Sequence, residues 1–95
     1  MAQTATIGTH RTSIRTDDNV TRVKYHYTNV VTFDDSEIQL QSGGYHTATT
    51  KRRMNQTSSQ FRLGYKVSQR NYQWYITYKG SEQLYTDGMI LDRSQ

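Results

Sequence analysis

A single stretch of helical periodicity, residues 49–60, interrupts a chain that otherwise alternates with a period of two. Ahead of it, residues 20–27 place Thr21, Val23, Tyr25 and Tyr27 on one face and Arg22, Lys24 and His26 on the other. Residues 30–33 predict a second short strand, Asp34-Asp35-Ser36 a turn, and residues 37–41 a third strand with Ile38 and Leu40 inward. Beyond the helix, residues 65–70 alternate and Asn71-Tyr72 reads as a two-residue hairpin loop. Residues 73–79 then set Trp74, Ile76 and Tyr78 against Tyr75, Thr77 and Lys79. Residues 83–91 predict a last strand, broken or bent at Asp87-Gly88. Three strands, one helix and three strands predict an α+β domain, an antiparallel sheet of five or six strands with the helix packed on one face.

The helix spacing puts Thr47, Thr50, Met54, Thr57, Ser58 and Phe61 on one side and leaves Arg52, Asn55, Gln56 and Ser59 to water. Trp74 and Tyr78 are then expected in the core with Met54 and Phe61. Residues 1–19 are polar and Thr-rich, ending in a turn at Asp17-Asp18-Asn19. They predict an arm, or at most one short strand, ahead of a single domain spanning 20–95.

Only 33% of the residues are apolar, mean hydropathy is −0.94, and eight of the apolar residues are tyrosines. Much of such a core is expected to be aromatic. The absence of proline and the supply of Thr, Tyr and Val argue against disorder and for strands. With no cysteine, disulfides and thiolate metal sites are excluded. No apolar run approaches the ~20 residues of a membrane-spanning helix, and the first residues lack the charged-then-apolar form of a signal peptide.

The net charge is +4 and the isoelectric point about 9.5, which favours polyanionic partners. A merely solubilising surface charge is the bland alternative. The charges are placed unevenly. Arg22, Lys24, Lys66, Arg70 and Lys79 fall on the strand parity opposite the core, together with Tyr75. A basic and aromatic sheet face can stack bases and hold phosphates, although an ordinary solvated face has the same residues. Lys51, Arg52 and Arg53 fill the first helical turn, where the macrodipole favours acids. With Gly43, Gly44, Thr49 and Thr50 they predict a cradle for an anion.

Catalytic patterns are missing. His10, His26 and His46 show no ligand spacing, and there is no phosphate-binding loop, nucleophile elbow or zinc motif. Asp34, Asp35 and Glu37 suit a turn better than a magnesium site. A metal-free nuclease built on His46 with Lys51 or Arg53 would have to be supported by geometry. The expectation is a protein that is not an enzyme and needs no cofactor.

The run Ser-Gly-Gly-Tyr-His-Thr-Ala-Thr-Thr-Lys-Arg-Arg-Met-Asn-Gln at 42–56, preceded by Asn29-Val-Val-Thr-Phe33 and followed by Gln60-Phe-Arg-Leu-Gly-Tyr-Lys-Val67 and Trp74-Tyr75, resembles a family of small tailed-bacteriophage proteins. The resemblance covers residues 20–91 and leaves the N-terminal arm outside. Tyr45 stands where tryptophan is more usual. The resemblance implies a phage origin and action in the host bacterial cytoplasm; it carries no known activity, and no functional residue is transferred. The expected partner is nucleic acid or another phosphate-bearing ligand. The alternatives are an inhibitor that docks on a host defence protein, such as an anti-CRISPR, or a minor virion component. No membrane role is expected, and a homo-oligomer is left open.

Overall fold

The computed structural model describes residues 11–44 and 46–93. Eight strands and one helix follow in chain order: β1 (Thr12–Asp17), β2 (Val20–Tyr25), β3 (Thr28–Phe33), β4 (Glu37–Leu40), α1 (Ala48–Phe61), β5 (Tyr65–Arg70), β6 (Gln73–Tyr78), β7 (Ser81–Leu84) and β8 (Ile90–Asp92). The α+β class is as expected, but the strands form two antiparallel sheets rather than one. The first has the order β1-β2-β3-β4-β8 and the second β5-β6-β7. Of the segment expected to be an arm, Thr12–Asp17 is a strand in register with β2, with Ile14 opposite Val23. Residues 1–10, His10 among them, lie outside the described residues, as does Tyr45.

Local chemistry sets the hairpins. Asp18-Asn19, Asn71-Tyr72 and Lys79-Gly80 all have positive φ, the conformation in which a two-residue turn matches the twist of its strands. Val23, Ile38, Leu40, Val67, Trp74 and Ile76 are buried as their parity requires. Two departures follow from turns and bulges. The pairing of β2 with β3 shifts register between Val23 and Lys24, and both Val30 and Val31 end up buried. Tyr27, expected on the core face, sits in the β2–β3 turn at 93% exposure. The break at Asp87-Gly88 sends β8 across to the edge of the five-stranded sheet, where Ile38 faces Leu91.

The helix begins at Thr47, whose side chain accepts from the Thr50 N–H at 3.2 Å. It ends at Arg62 in the left-handed conformation. It does not simply lie on a sheet face. Its polar side chains also seal the outer edge of β5. Ser58 Oγ donates to the Tyr65 carbonyl at 2.7 Å and accepts from the Tyr65 N–H at 3.1 Å. One turn earlier, Asn55 brackets Val67 in the same way. A further turn back, Lys51 Nζ reaches Gln69 Oε1 at 3.4 Å. Residues three or four apart on the helix thus meet residues two apart on the strand, because both steps cover similar lengths. Asn55 is therefore half-buried, and Gln56, bonded by Arg53, is buried, where water was expected for both.

One apolar core spans both sheets, with Met54 from the helix, Trp74 and Ile76 from the second sheet, and Val31, Ile38 and Leu40 from the first. Phe61 packs on Phe33 with ring centroids 5.0 Å apart. Tyr65 is buried whole, and its hydroxyl donates to the Met54 carbonyl at 2.6 Å. Burial pushes its acidity far below that of an ordinary tyrosine. Trp74 is buried, but its ring neighbours are Tyr85 and His46, while Tyr78 is only partly buried.

Candidate functional site

The start of α1 separates two concave surfaces. On one side, a groove of about 580 Å³ runs between the outer face of the helix and β5, lined by Lys51, Arg52, Asn55, Ser59 and Lys66 among others, with no acidic residue on its walls. Thus Lys51, Arg52 and Lys66, all expected to bind an anion, meet in one place. Lys51 and Arg52 come from the first helical turn, and Lys66 comes from the exposed parity of β5.

The other expected residues are dispersed. Arg53 does not line this groove. It is buried, its Nε donates to Thr12 Oγ1 at 2.9 Å, its Nη1 donates to Gln56 Oε1 at 3.1 Å, and its guanidinium lies over the Tyr25 ring at 5.6 Å. Arg22 and Lys24 belong to the five-stranded sheet, whereas Lys66 and Arg70 belong to the three-stranded one, so the expected single basic sheet face is divided between two sheets. Arg70 makes a bidentate pair with Glu82, both contacts 2.9 Å, and stacks on Tyr75 at 4.1 Å. The pair raises the Arg70 pKa and lowers that of Glu82, in each case chiefly through their mutual hydrogen bonds. Tyr75 is thus already covered by an arginine on one side. Lys79 sits in the β6–β7 turn and donates to the Asp92 carbonyl at 3.1 Å.

Nor does the helix start offer a ring of open amides, since the Thr50 N–H is capped by Thr47. Thr49 is half-buried beside it, and the Gly44 N–H donates to Ser42 Oγ at 3.2 Å.

On the other side of the helix start lies a cavity of about 290 Å³ that sequence reasoning missed. Tyr25, Tyr27 and Thr28 from the β2–β3 hairpin face Thr47 and Thr50 across it, and Val30 also lines it. Period-2 alternation put Tyr25 and Tyr27 together in the core, and only the early turn at His26, with φ 58°, turns Tyr27 outward.

The wall of this cavity is braced from behind. Asp87 accepts from the Ser42 N–H at 3.0 Å, from Ser42 Oγ at 2.8 Å and from the Tyr85 hydroxyl at 2.7 Å. Burial alone would raise the Asp87 pKa, but these bonds and nearby His46 hold it below its ordinary value. Tyr85 is pushed the other way, first by burial and then by its bond to the carboxylate. His46 Nε2 lies 3.8 Å from Asp87 and its ring stacks at 4.8 Å from Trp74. Ser42 donates its hydroxyl hydrogen bond to Asp87 and is buried, so the group works as a clamp on the Gly43-Gly44 corner and lacks the serine–histidine hydrogen bond of an activated nucleophile. His46 stacks on Trp74, whereas Arg53 bonds Thr12 and Gln56.

Asp34 accepts from the Ser36 N–H, Ser36 Oγ and the Glu37 N–H, which lowers its pKa and makes the acidic run a turn. Among the described residues, no group of three or more His, Asp or Glu is placed to hold a metal ion, and no helix is long and apolar enough to cross a membrane.

Fold and site together define a small two-sheet α+β domain whose helix α1 carries a basic groove on one flank and an aromatic cavity on the other. The chain matches the family model described as Kyanoviridae Gp96 protein over residues 1–92, and it belongs to that bacteriophage family. The match starts at residue 1 and so takes in the N-terminal segment that the motif resemblance left out. No curated protein matches the chain, and neither does any solved structure.

Proposed function

We propose that this phage protein acts by binding nucleic acid in the host cell, without catalysis, through the groove between α1 and β5. The observation that carries the reading is the convergence of Lys51, Arg52 and Lys66 on a groove with no acidic wall. These cations come from different elements, so one turn of local sequence does not explain their meeting. Phosphate contacts of this kind release counterions, and binding must weaken steeply with salt. Fluorescence anisotropy with short DNA and RNA across a salt series tests it. Lys51→Gln, Arg52→Gln and Lys66→Gln should each reduce the salt slope by about 1. Micromolar or weaker binding that ignores salt would sink the idea.

A second reading, an inhibitor of a host defence protein, is favoured by Tyr72, which stands 96% exposed on the β5–β6 hairpin; tyrosine is a frequent interface anchor. Pull-down from host lysate separates the two. A stoichiometric protein partner that survives nuclease treatment supports inhibition, and loss of every partner after nuclease supports nucleic-acid binding.

A further inference from the structure

We infer that the cavity beside the helix start takes one unstacked nucleobase, so that the protein's ligand is a single strand rather than a duplex; this rests on the nucleic-acid reading of the groove. At about 290 Å³ the cavity falls just below the usual range of small-molecule sites, roughly 300–1,000 Å³, and suits a ring-sized group. Its chemistry matches the two surfaces of a base. Tyr27 supplies an aromatic face and Val30 an apolar wall, while Tyr25, with Arg53 over its ring, completes the lining. Thr28, Thr47 and Thr50 also line it; Thr47 and Thr50 share a hydroxyl–hydroxyl bond at 3.0 Å, so a base edge would join that pair. Tyr27 is a large aromatic side chain at 93% exposure, open to stacking.

Position makes the connection to phosphate. Thr50 lines the cavity and Lys51, the next residue, lines the groove. Successive helical residues point about 100° apart, so the two surfaces flank the same turn. A strand whose phosphates follow Lys51, Arg52 and Lys66 can turn one base over the helix start into the cavity. A base held in a duplex cannot do so without unpairing. Two lining residues of the cavity, Thr28 and Ser42, are held by neighbours. Gly43 lies behind Thr28, and a Cβ there would overlap Thr28 Oγ1, while Asp87 clamps the adjoining Ser42.

The test uses one oligonucleotide sequence as a single strand, as a duplex and as a single strand with abasic sites, in DNA and in RNA; the tighter-binding chemistry carries the comparison. The single strand should bind more tightly than the duplex. Abasic substitution and Tyr27→Ala should each weaken it roughly 10-fold, the loss of one base stack, and should not compound each other. Tyr27→Phe should keep the affinity. Tyr27 is exposed enough for the variants to fold, and thermal melts verify that. Equal binding of intact and abasic strands, with Lys51→Gln and Lys66→Gln still weakening both, overturns the base cavity and leaves the groove reading standing. No salt-dependent binding of any oligonucleotide overturns both.

Discussion

Asn55 holds both backbone groups of Val67: its Oδ1 accepts from the Val67 N–H at 2.7 Å and its Nδ2 donates to the Val67 carbonyl at 2.9 Å. With Ser58 on Tyr65, the helix thereby takes the place of a neighbouring strand on the β5 edge. Open edges invite pairing with other chains, and this one is closed by side chains. Asn55→Ala leaves an N–H and a carbonyl without partners and should cost about 1–3 kcal/mol. At roughly 4–8 °C per kcal/mol for a domain of this size, a thermal melt resolves it. Asn55→Asp keeps the acceptor for the Val67 N–H but sets a second acceptor against the Val67 carbonyl, so it should also destabilise; a variant as stable as the parent would contradict the bracket.

Arg53 offers a test in which two effects have opposite signs. The helix dipole alone predicts that an acid in the first turn stabilises. Arg53 instead ties the helix to β1 through Thr12. Arg53→Glu should therefore lower the melting temperature, by an amount corresponding to about 1.5–3 kcal/mol for hydrogen bonds to a charged group. Arg52→Glu, at an exposed position, should not lower it. Amide exchange along Thr12–Asp17 should quicken in the Arg53 variant before it quickens elsewhere.

Gly43 and Gly44 are adjacent and both have positive φ, 67° and 87°. Alanine at either pays a left-handed strain of about 1–2 kcal/mol. Only at Gly43 does the new Cβ meet Thr28, since nothing lies within 4 Å at Gly44. Gly43→Ala should be the more damaging of the two in denaturant melts, and adding Thr28→Ala should recover part of the difference.

Asp87 gives a pH dependence of definite sign. Its folded pKa is lowered from 3.8, so the unfolded chain binds the proton more readily. The stability it contributes is fully present above the unfolded value and is lost as pH falls through the lower folded one. Asp34 and Glu82, also lowered, act in the same direction. Asp87→Asn should be less stable than the parent at neutral pH, with the gap closing below pH 3.8. A gap independent of pH would mean that charge plays no part in the clamp.

Trp74 is 4% exposed and lies against Tyr85 at 5.4 Å. Trp74→Ala should cost about 3–5 kcal/mol, a large share of the stability of a small domain. Near-ultraviolet circular dichroism should report the loss of a fixed aromatic environment. A variant with an unchanged melt would mean that the indole contributes nothing to the core.

Alternation and turn chemistry determined most of the strands and the inward set Val23, Ile38, Leu40, Val67, Trp74 and Ile76, because a period of two and a left-handed turn are local properties. The helix boundaries were legible to within a residue for the same reason: threonine caps and the 3.6 period are read from neighbours in sequence. The division into two sheets was not legible, since nothing local says which strand edges will meet. The helix face was misread where Asn55 and Gln56 are polar by type yet enclosed by partners from β5 and Arg53. The same limit governs the site. Sequence located the cations at 51–53 and on alternating strand positions. Only tertiary packing turned Arg53 inward, gave Arg70 to Glu82, and brought Lys66 to Lys51 and Arg52. The aromatic cavity depended on a hairpin turning one residue early, which threw Tyr27 out of the core and opposite Thr47 and Thr50. Charge is a property of residues; which charges share a surface depends on which elements the burial of Met54, Trp74 and their neighbours pulls together.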